Sequence, residues 1–169
     1  MRRIGIVAVL SLMALALAAV PAFAGNPHFI KSQTFSSLDG ANLRADFKEA
    51  GLPSGATETV TLSASETVTY ECVNGGGKNP SASNKRAIRT SGSTSGEFSA
   101  DKNGNIVGSL TLEPASAASV GFGCPSGQTV TFVSVSYTHV TLTDADSGAT
   151  IGLANQSYTN PDAPPVGGK

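Results

Sequence analysis

Few side chains in this sequence are suited to acid–base catalysis. There are two histidines, His28 and His139, and an imidazole can act as a general base near neutral pH. His28 lies near the N-terminus, so His139 is the residue that a catalytic mechanism would use. Glu66 is the one acidic residue on the apolar side of an alternating segment, where burial would raise its pKa. The sequence nominates no second carboxylate as its partner, and we therefore assign no catalytic residue.

A nucleophile cannot be assigned either. The segment Gly92-Ser93-Thr94-Ser95-Gly96 is superficially similar to the nucleophile elbow of a hydrolase. However, Thr94 stands where a serine is needed, and no strand-to-helix context surrounds it. The sequence therefore favours a non-enzymatic protein.

Two polar segments have part of the pattern of a calcium-binding loop. Asp101, Asn103 and Asn105 have the spacing of the first ligands, but the sixth and twelfth positions lack the required glycine and acid. The segment that contains Asp144 and Asp146 has a similarly incomplete calcium-loop pattern. We interpret both segments as turns, and we predict neither a metal nor a cofactor.

The segment after Cys72 has the composition of an exposed loop. Three glycines at 75–77 and an Asn-Pro pair are incompatible with a continuing strand. The alternative to a functional loop is a plain connection whose asparagines bond their own backbone. As a disulfide-anchored recognition loop, residues 73–85 would offer the polar side chains of Asn74, Lys78, Asn79, Asn84 and Lys85.

These residues must be positioned by strands, because apolar and polar residues alternate along most of the chain. The longest such segment is Thr59–Cys72, where even positions are apolar except Glu66 and odd positions are polar. A carboxylate that faces a core is costly. We therefore expect this strand to bend near Ser65 and Glu66 and to divide into two.

Other segments continue the alternation. Between 128 and 143 the apolar residues change phase twice, after Phe132 and after Tyr137, which indicates bulges or a strand covered on both faces. No segment after residue 24 has a convincing helical period. Shorter strands are predicted at Phe29–Ser36, Leu43–Lys48 and Ala149–Leu153.

Residues 95–113 predict a hairpin around Asn103-Gly104. Apolar residues occupy even positions on both sides of this pair, so both strands can face the same way only if the loop has an odd number of residues. This favours a three-residue turn, Lys102–Gly104, with a positive φ at Gly104.

Seven or eight short strands with regular turn signals indicate an all-β fold. We expect an antiparallel β-sandwich of immunoglobulin-like type, although the chain has no tryptophan and thus lacks the core residue of antibody domains. A single domain is predicted over 25–154. Residues 155–169 have little to bury and are expected to form a flexible tail.

The first 24 residues have the pattern of a cleaved secretory signal peptide. A short basic start precedes the apolar run 4–20, and the small-x-small pattern Ala22–Ala24 is typical of cleavage before Gly25. The alternative is a retained membrane anchor. We expect a secreted, extracellular bacterial protein with no membrane association after cleavage.

Cys72 and Cys124 are the only cysteines. An even number in an exported chain favours a disulfide over a metal or redox pair. Closing a loop of this length should stabilise the fold by about 4 kcal/mol in the chain-entropy description.

A family resemblance rests on the segments flanking these cysteines. Tyr70–Pro80 contains a Cys-Val-Asn sequence with a glycine run, Asn84-Lys85 follows, and Cys124-Pro125 comes later. This combination resembles small exported β-rich proteins of actinobacteria and other soil bacteria. The resemblance covers most of the exported chain and implies a β-rich domain, but it supplies no activity and no site residues.

Charge narrows the choice of partners. A formal net charge of −1 argues against nucleic-acid binding, because no dense basic patch exists to neutralise phosphates. We expect surface recognition or binding of a cell-envelope or secreted protein partner. The alternatives are an inhibitor of a secreted hydrolase, which would present a rigid loop, and a small hydrolase using His139 or Glu66.

Overall fold

The alternating segments form long antiparallel strands in the computed structural model, which describes residues 25–75 and 84–164. A three-residue 3-10 turn, Lys31–Gln33, follows the first strand. The nine strands described are β1 His28–Phe29, β2 Phe35–Asp39, β3 Asn42–Ala50, β4 Thr57–Asn74, β5 Lys85–Ser99, β6 Ile106–Leu112, β7 Gln128–Asp144, β8 Thr150–Gly152 and β9 Gln156–Thr159.

The strands form two antiparallel sheets. In sheet A, β3 pairs with β6 along one edge, while β1 and β2 pair with different parts of its other edge. In sheet B the order is β5-β4-β7, and β8 and β9 share the outer edge of β7. The predicted β-sandwich is therefore confirmed, with nine strands because several of them are only two to four residues long.

The core lies between the sheets and is built from the apolar side of each alternation. Phe47 makes edge-to-face contacts with Phe29 and Phe98, at centroid distances of 5.9 and 5.0 Å. Gly108 makes room for these rings, because a Cβ there would approach Phe98 to 2.6 Å and Phe47 to 2.8 Å. Three phenylalanine rings therefore pack together in the core of this tryptophan-free domain.

A disulfide joins Cys72 and Cys124, as the sequence predicts. Their Cα atoms are 5.6 Å apart, which is an ordinary separation for a bridged pair. The bond attaches the connection between β6 and β7 to the end of β4. In the same region, the ring of Tyr70 stacks on Phe122 at 5.6 Å.

The predicted bulges in β7 are confirmed. The register between β4 and β7 shifts between Ser63 and Ser65 and again between Thr69 and Tyr70. At both places β7 contributes one residue more than β4, which reverses the face that the following residues present. The shifts coincide with the two phase changes of the apolar pattern.

The predicted division of β4 is wrong, because β4 is continuous from Thr57 to Asn74. Glu66 stays inside the sandwich with 2% of its surface exposed. Its Oε2 accepts a hydrogen bond from the amide of Ala115 at 2.9 Å. A Cβ at Gly92 of the neighbouring strand would collide with Glu66 Oε1. An amide donor and a missing side chain thus accommodate the carboxylate without interrupting the strand.

The predicted hairpin over 95–113 is also wrong. The turn has the expected form, since Gly104 has a φ of 71° and its amide donates to the carbonyl of Asp101. However, β5 pairs with β4 in sheet B, whereas β6 pairs with β3 in sheet A. The turn therefore passes from one sheet to the other.

The expected flexible tail is corrected for residues 156–159. They form β9, which pairs with Ser134–Tyr137 of β7. The side chain of Asn160 then donates to the carbonyl of Phe132 at 2.9 Å. The predicted signal peptide at 1–24 and the end of the tail at 165–169 lie outside the described residues.

Candidate functional site

The outer surface of sheet B carries an ordered array of hydroxyl groups, which we call the hydroxyl face. It is formed by the odd-numbered residues Thr61–Thr69 of β4 and by their neighbours on β5 and β7. Within the array, only Arg89 and Ala87 lack a hydroxyl group. We call each row of three paired residues across β5, β4 and β7 a rung. From one end to the other, the rungs are Ser95-Thr61-Thr143, Ser93-Ser63-Thr141, Ser91-Ser65-Thr138, Arg89-Thr67-Ser136 and Ala87-Thr69-Ser134.

Strand geometry sets the spacing of this array. Neighbouring strands are about 4.8 Å apart, and successive rungs are about 6.7 Å apart along the strands. Some neighbours bond each other, as Thr61 Oγ1 and Ser95 Oγ do at 2.9 Å. Because the backbone ladder fixes every Cα, the face presents donors and acceptors at regular positions. It also carries little charge.

His139 lies in the middle of this face. It occupies the second bulge along β7, between Thr138 and Thr141, with a φ of 53°, and its side chain is exposed. Together with Ser65 it borders two shallow depressions of about 370 and 460 Å³. The residues that line these depressions with His139 are mainly serines and threonines.

Glu66 borders the larger depression with His139, but its carboxylate is turned into the core. Burial raises its pKa, and the hydrogen bond from Ala115 opposes this. The segment Gly92–Gly96 lies within β5, not at a strand-to-helix turn. The described residues therefore do not combine these groups into a triad.

The candidate binding loop connects two paired strands. Asn74 is the last residue of β4 and Lys85 is the first of β5, and both are half-buried. Val73, at the predicted start of the loop, belongs to β4. Asn84 is also half-buried, whereas Lys78 and Asn79 lie outside the described residues. The disulfide at Cys72 attaches the base of this loop to the β6–β7 connection.

A group of acidic residues lies at the other end of β4, and sequence reasoning missed most of it. Ligand oxygens of Glu58, Asp144 and Asp146 all lie within 4.8 Å of one another. Glu49 comes from sheet A, and its pKa is raised to about 7 by burial and by the charge of Asp144. Burial also raises the pKa of Glu58. The sequence pattern indicates only Asp144 and Asp146, because Glu49 and Glu58 are distant from them along the chain.

The other calcium-like segment is a turn, as interpreted. Asp101 Oδ1 accepts the amides of Asn103 and Asn105 at 2.8 and 2.9 Å. These hydrogen bonds hold the pKa of Asp101 below its ordinary value, and the one from the Asn105 amide has the largest effect. Its carboxylate is thus engaged by its own backbone.

Comparison with known proteins adds no assignment. Within residues 25–75 and 84–164, no helix is long and apolar enough to cross a membrane. No protein-family model, no curated protein and no solved structure matches this chain.

Proposed function

We propose that this chain is an exported, non-enzymatic recognition protein that binds an extracellular hydroxyl-rich polymer through the hydroxyl face. The observation that carries the proposal is the continuous set of Ser and Thr rungs across β5, β4 and β7. A half-buried strand needs a polar outer side, but any polar residue would serve that purpose. Here the outer side is almost entirely hydroxylic.

The chemistry of the face favours a polyhydroxylated partner. Protein interfaces have aromatic and apolar residues at their centre, and the rungs contain none of these apart from Ala87. Phosphate-rich partners require clustered Lys and Arg, and Arg89 is the one basic residue in the rungs. Neutral donors and acceptors suit the hydroxyls of a polysaccharide.

The energetics favour a repeating ligand over a small one. Each neutral hydrogen bond contributes only about 0.5 to 1.5 kcal/mol, so a single sugar would bind weakly. A polymer can occupy many rungs at once, and its later contacts form at high effective concentration. The β-sandwich holds the rungs rigid, which lowers the entropic cost of binding.

The test is co-sedimentation of the exported protein with insoluble polymers, namely peptidoglycan sacculi, cellulose and chitin. We expect at least one of them to retain the protein. Replacing Ser65, an exposed serine of central strand β4, by Lys should weaken retention by about tenfold. This corresponds to the loss of one or two hydrogen bonds.

Ser109→Lys is the matched control, because Ser109 is an exposed serine on β6 in sheet A. It should bind like the wild type. Retention by none of the polymers, or equal weakening by both substitutions, would overturn the proposal. A loss caused by Lys78→Ala with Asn79→Ala, but not by Ser65→Lys, would assign recognition to the loop instead.

A further inference from the structure

The acidic group at the start of β4 has the dimensions of a calcium site. Calcium binds oxygen ligands at about 2.3 to 2.6 Å, so two ligands on opposite sides of the ion are about 5 Å apart. The ligand atoms of Glu58, Asp144 and Asp146 are all within 4.8 Å of one another. We propose that these three carboxylates bind one calcium ion where β4 begins and β7 ends.

Buried oxygens without partners support this assignment independently. Glu49 and Asp144 are both 0% exposed, and within 25–75 and 84–164 no amide or hydroxyl donor bonds Glu49 Oε2 or Asp144 Oδ2. Leaving a buried charged group unsatisfied is costly. Glu49 extends from the opposite sheet, and its carboxylate interacts with those of Asp144 and Glu58. A cation between them would compensate the cost of burying these negative charges together.

No side-chain cation takes this role among the described residues. In 25–75 and 84–164 the structure has a single ion pair, Arg44 with Asp46, on the side of β3 opposite to Glu49. Four carboxylates therefore adjoin one another with no basic partner in the part of the chain that the structure describes. Protonation or a bound cation are the two ways to relieve their repulsion.

The backbone orients two of the ligands in advance. Asp146 Oδ2 accepts the amide of Thr59 at 2.7 Å, and Asp144 Oδ1 accepts the amide of Asp146 at 2.9 Å. Each side chain is thus held by one oxygen, which leaves the other oxygen for the ion. Such preorientation reduces the entropy that is lost on binding.

The type and number of ligands select calcium. The group contains only oxygen donors, whereas zinc is bound mainly by His and Cys. Magnesium requires a small octahedral shell and retains most of its waters, but calcium accepts irregular sets of six to eight oxygens. A cavity of about 340 Å³ beside Glu58 and Asp146, bordered by Gly25 and Ser147, provides room for water ligands.

The test is calorimetric titration of the exported protein with calcium after treatment with a chelator. We expect one site with a Kd on the order of 10⁻⁴ M, as in extracellular calcium modules. In about 10 mM calcium, the melting temperature should rise by about 5 to 10 °C. Magnesium at the same concentration should give little shift.

Asp144→Asn and Asp146→Asn test the ligands. Asparagine can still accept the amide hydrogen bonds that position each side chain, so the fold should persist. Each variant should raise the Kd by about tenfold or more, because calcium affinity follows the number of ligand charges. In the absence of calcium, Asp144→Asn should melt no lower than the wild type, since one buried negative charge is removed. A weaker calcium affinity without a lower melting temperature distinguishes loss of a ligand from general destabilisation.

Asp101→Asn is the matched control, because it changes an aspartate in the other calcium-like segment. It should leave the calcium Kd unchanged. The proposal is wrong if calcium produces neither a heat of binding nor a shift in melting temperature. The same result is expected if the α-amino group of a chain beginning at Gly25 neutralises the acidic residues. Equal binding of magnesium, or unchanged binding by Asp144→Asn, would also overturn it.

Discussion

The carboxylate of Glu66 shows how one residue can depart from an alternating pattern without breaking its strand. It is fixed on one side by the amide of Ala115, and Gly92 leaves the space that it occupies. The hydroxyl of Tyr70 donates to the carbonyl of the same Ala115 at 2.7 Å. Two side chains of β4 therefore hold the connection between β6 and β7 over the core.

This arrangement predicts a pH-dependent stability. The pKa of Glu66 is raised above its ordinary value of 4.5, chiefly by burial, so the folded chain binds this proton more tightly than the unfolded chain does. The contribution to stability is complete below the ordinary pKa and is lost as the pH rises through the folded pKa. Glu66→Gln should therefore match the wild type near pH 3.5 and exceed it at pH 8. The gain is about 1.4 kcal/mol for each unit of pKa shift.

Urea unfolding across this pH range measures the effect, and Glu97→Gln, at an exposed position of β5, is the control. The control should follow the wild-type pH profile apart from a small constant offset. A Glu66→Gln profile parallel to that of the wild type would show that the carboxylate is not destabilising when charged.

At the scale of elements, β7 determines the shape of sheet B. Its two bulges turn Val133, Val135 and Tyr137 inward and then bring Val140 and Leu142 back to the core. The hydroxyl of Tyr137 donates to the carbonyl of Ala41 at 2.8 Å, which links this strand to the turn between β2 and β3. The second bulge is also where His139 adopts its left-handed conformation.

A residue with a side chain is strained in that conformation, whereas glycine is not. His139→Gly should therefore stabilise the protein by about 1 kcal/mol, seen as a higher urea midpoint with an unchanged slope. His139→Val should lower the midpoint, because β-branched residues tolerate a positive φ poorly. A destabilised glycine variant would mean that the imidazole contributes contacts worth more than the strain.

For the whole molecule, the long connection between β6 and β7 depends on the disulfide. Cys72 and Cys124 are separated by 52 positions, and the bond holds residues 113–127 against the end of β4. The double variant Cys72→Ala with Cys124→Ala should lose about 4 kcal/mol of unfolding free energy, mainly because its unfolded chain is less restricted. Its urea slope should also increase as the unfolded state expands.

Chemical reduction of the wild type is the control for cavity effects of the alanines and should give a similar loss. Equal unfolding free energies for the wild type and the double variant would show that packing around Tyr70 and Phe122 holds the connection without the bond.

The sheets to which β5 and β6 belong depend on tertiary structure and not on the local sequence pattern. Their apolar residues all occupy even positions, which is compatible with two strands side by side in one sheet. It is equally compatible with two strands that face each other across a core. Period-two alternation reports which side of a strand is buried, and it carries no information on the element that covers that side. The hairpin prediction failed for this reason, although the turn at Gly104 was correct.

The two candidate sites also differ in how far the sequence predicts them. The hydroxyl face could be anticipated within β4, because its outward residues are adjacent in the alternation, but the matching rungs of β5 and β7 depend on register. The acidic group could not be anticipated, since Glu49, Glu58 and Asp144 lie at the termini of three different strands and meet only when both sheets are assembled.

By itself, the sequence determined that this chain is built from strands, where β7 bulges, how the Gly104 turn is formed and which cysteines pair. These features depend on neighbouring residues, or on there being only two cysteines. Only the tertiary structure decided which strands share a sheet, how Glu66 is accommodated and which carboxylates converge. Those outcomes depend on contacts between residues far apart in the chain, where packing and hydrogen bonding choose among arrangements that local alternation leaves equivalent.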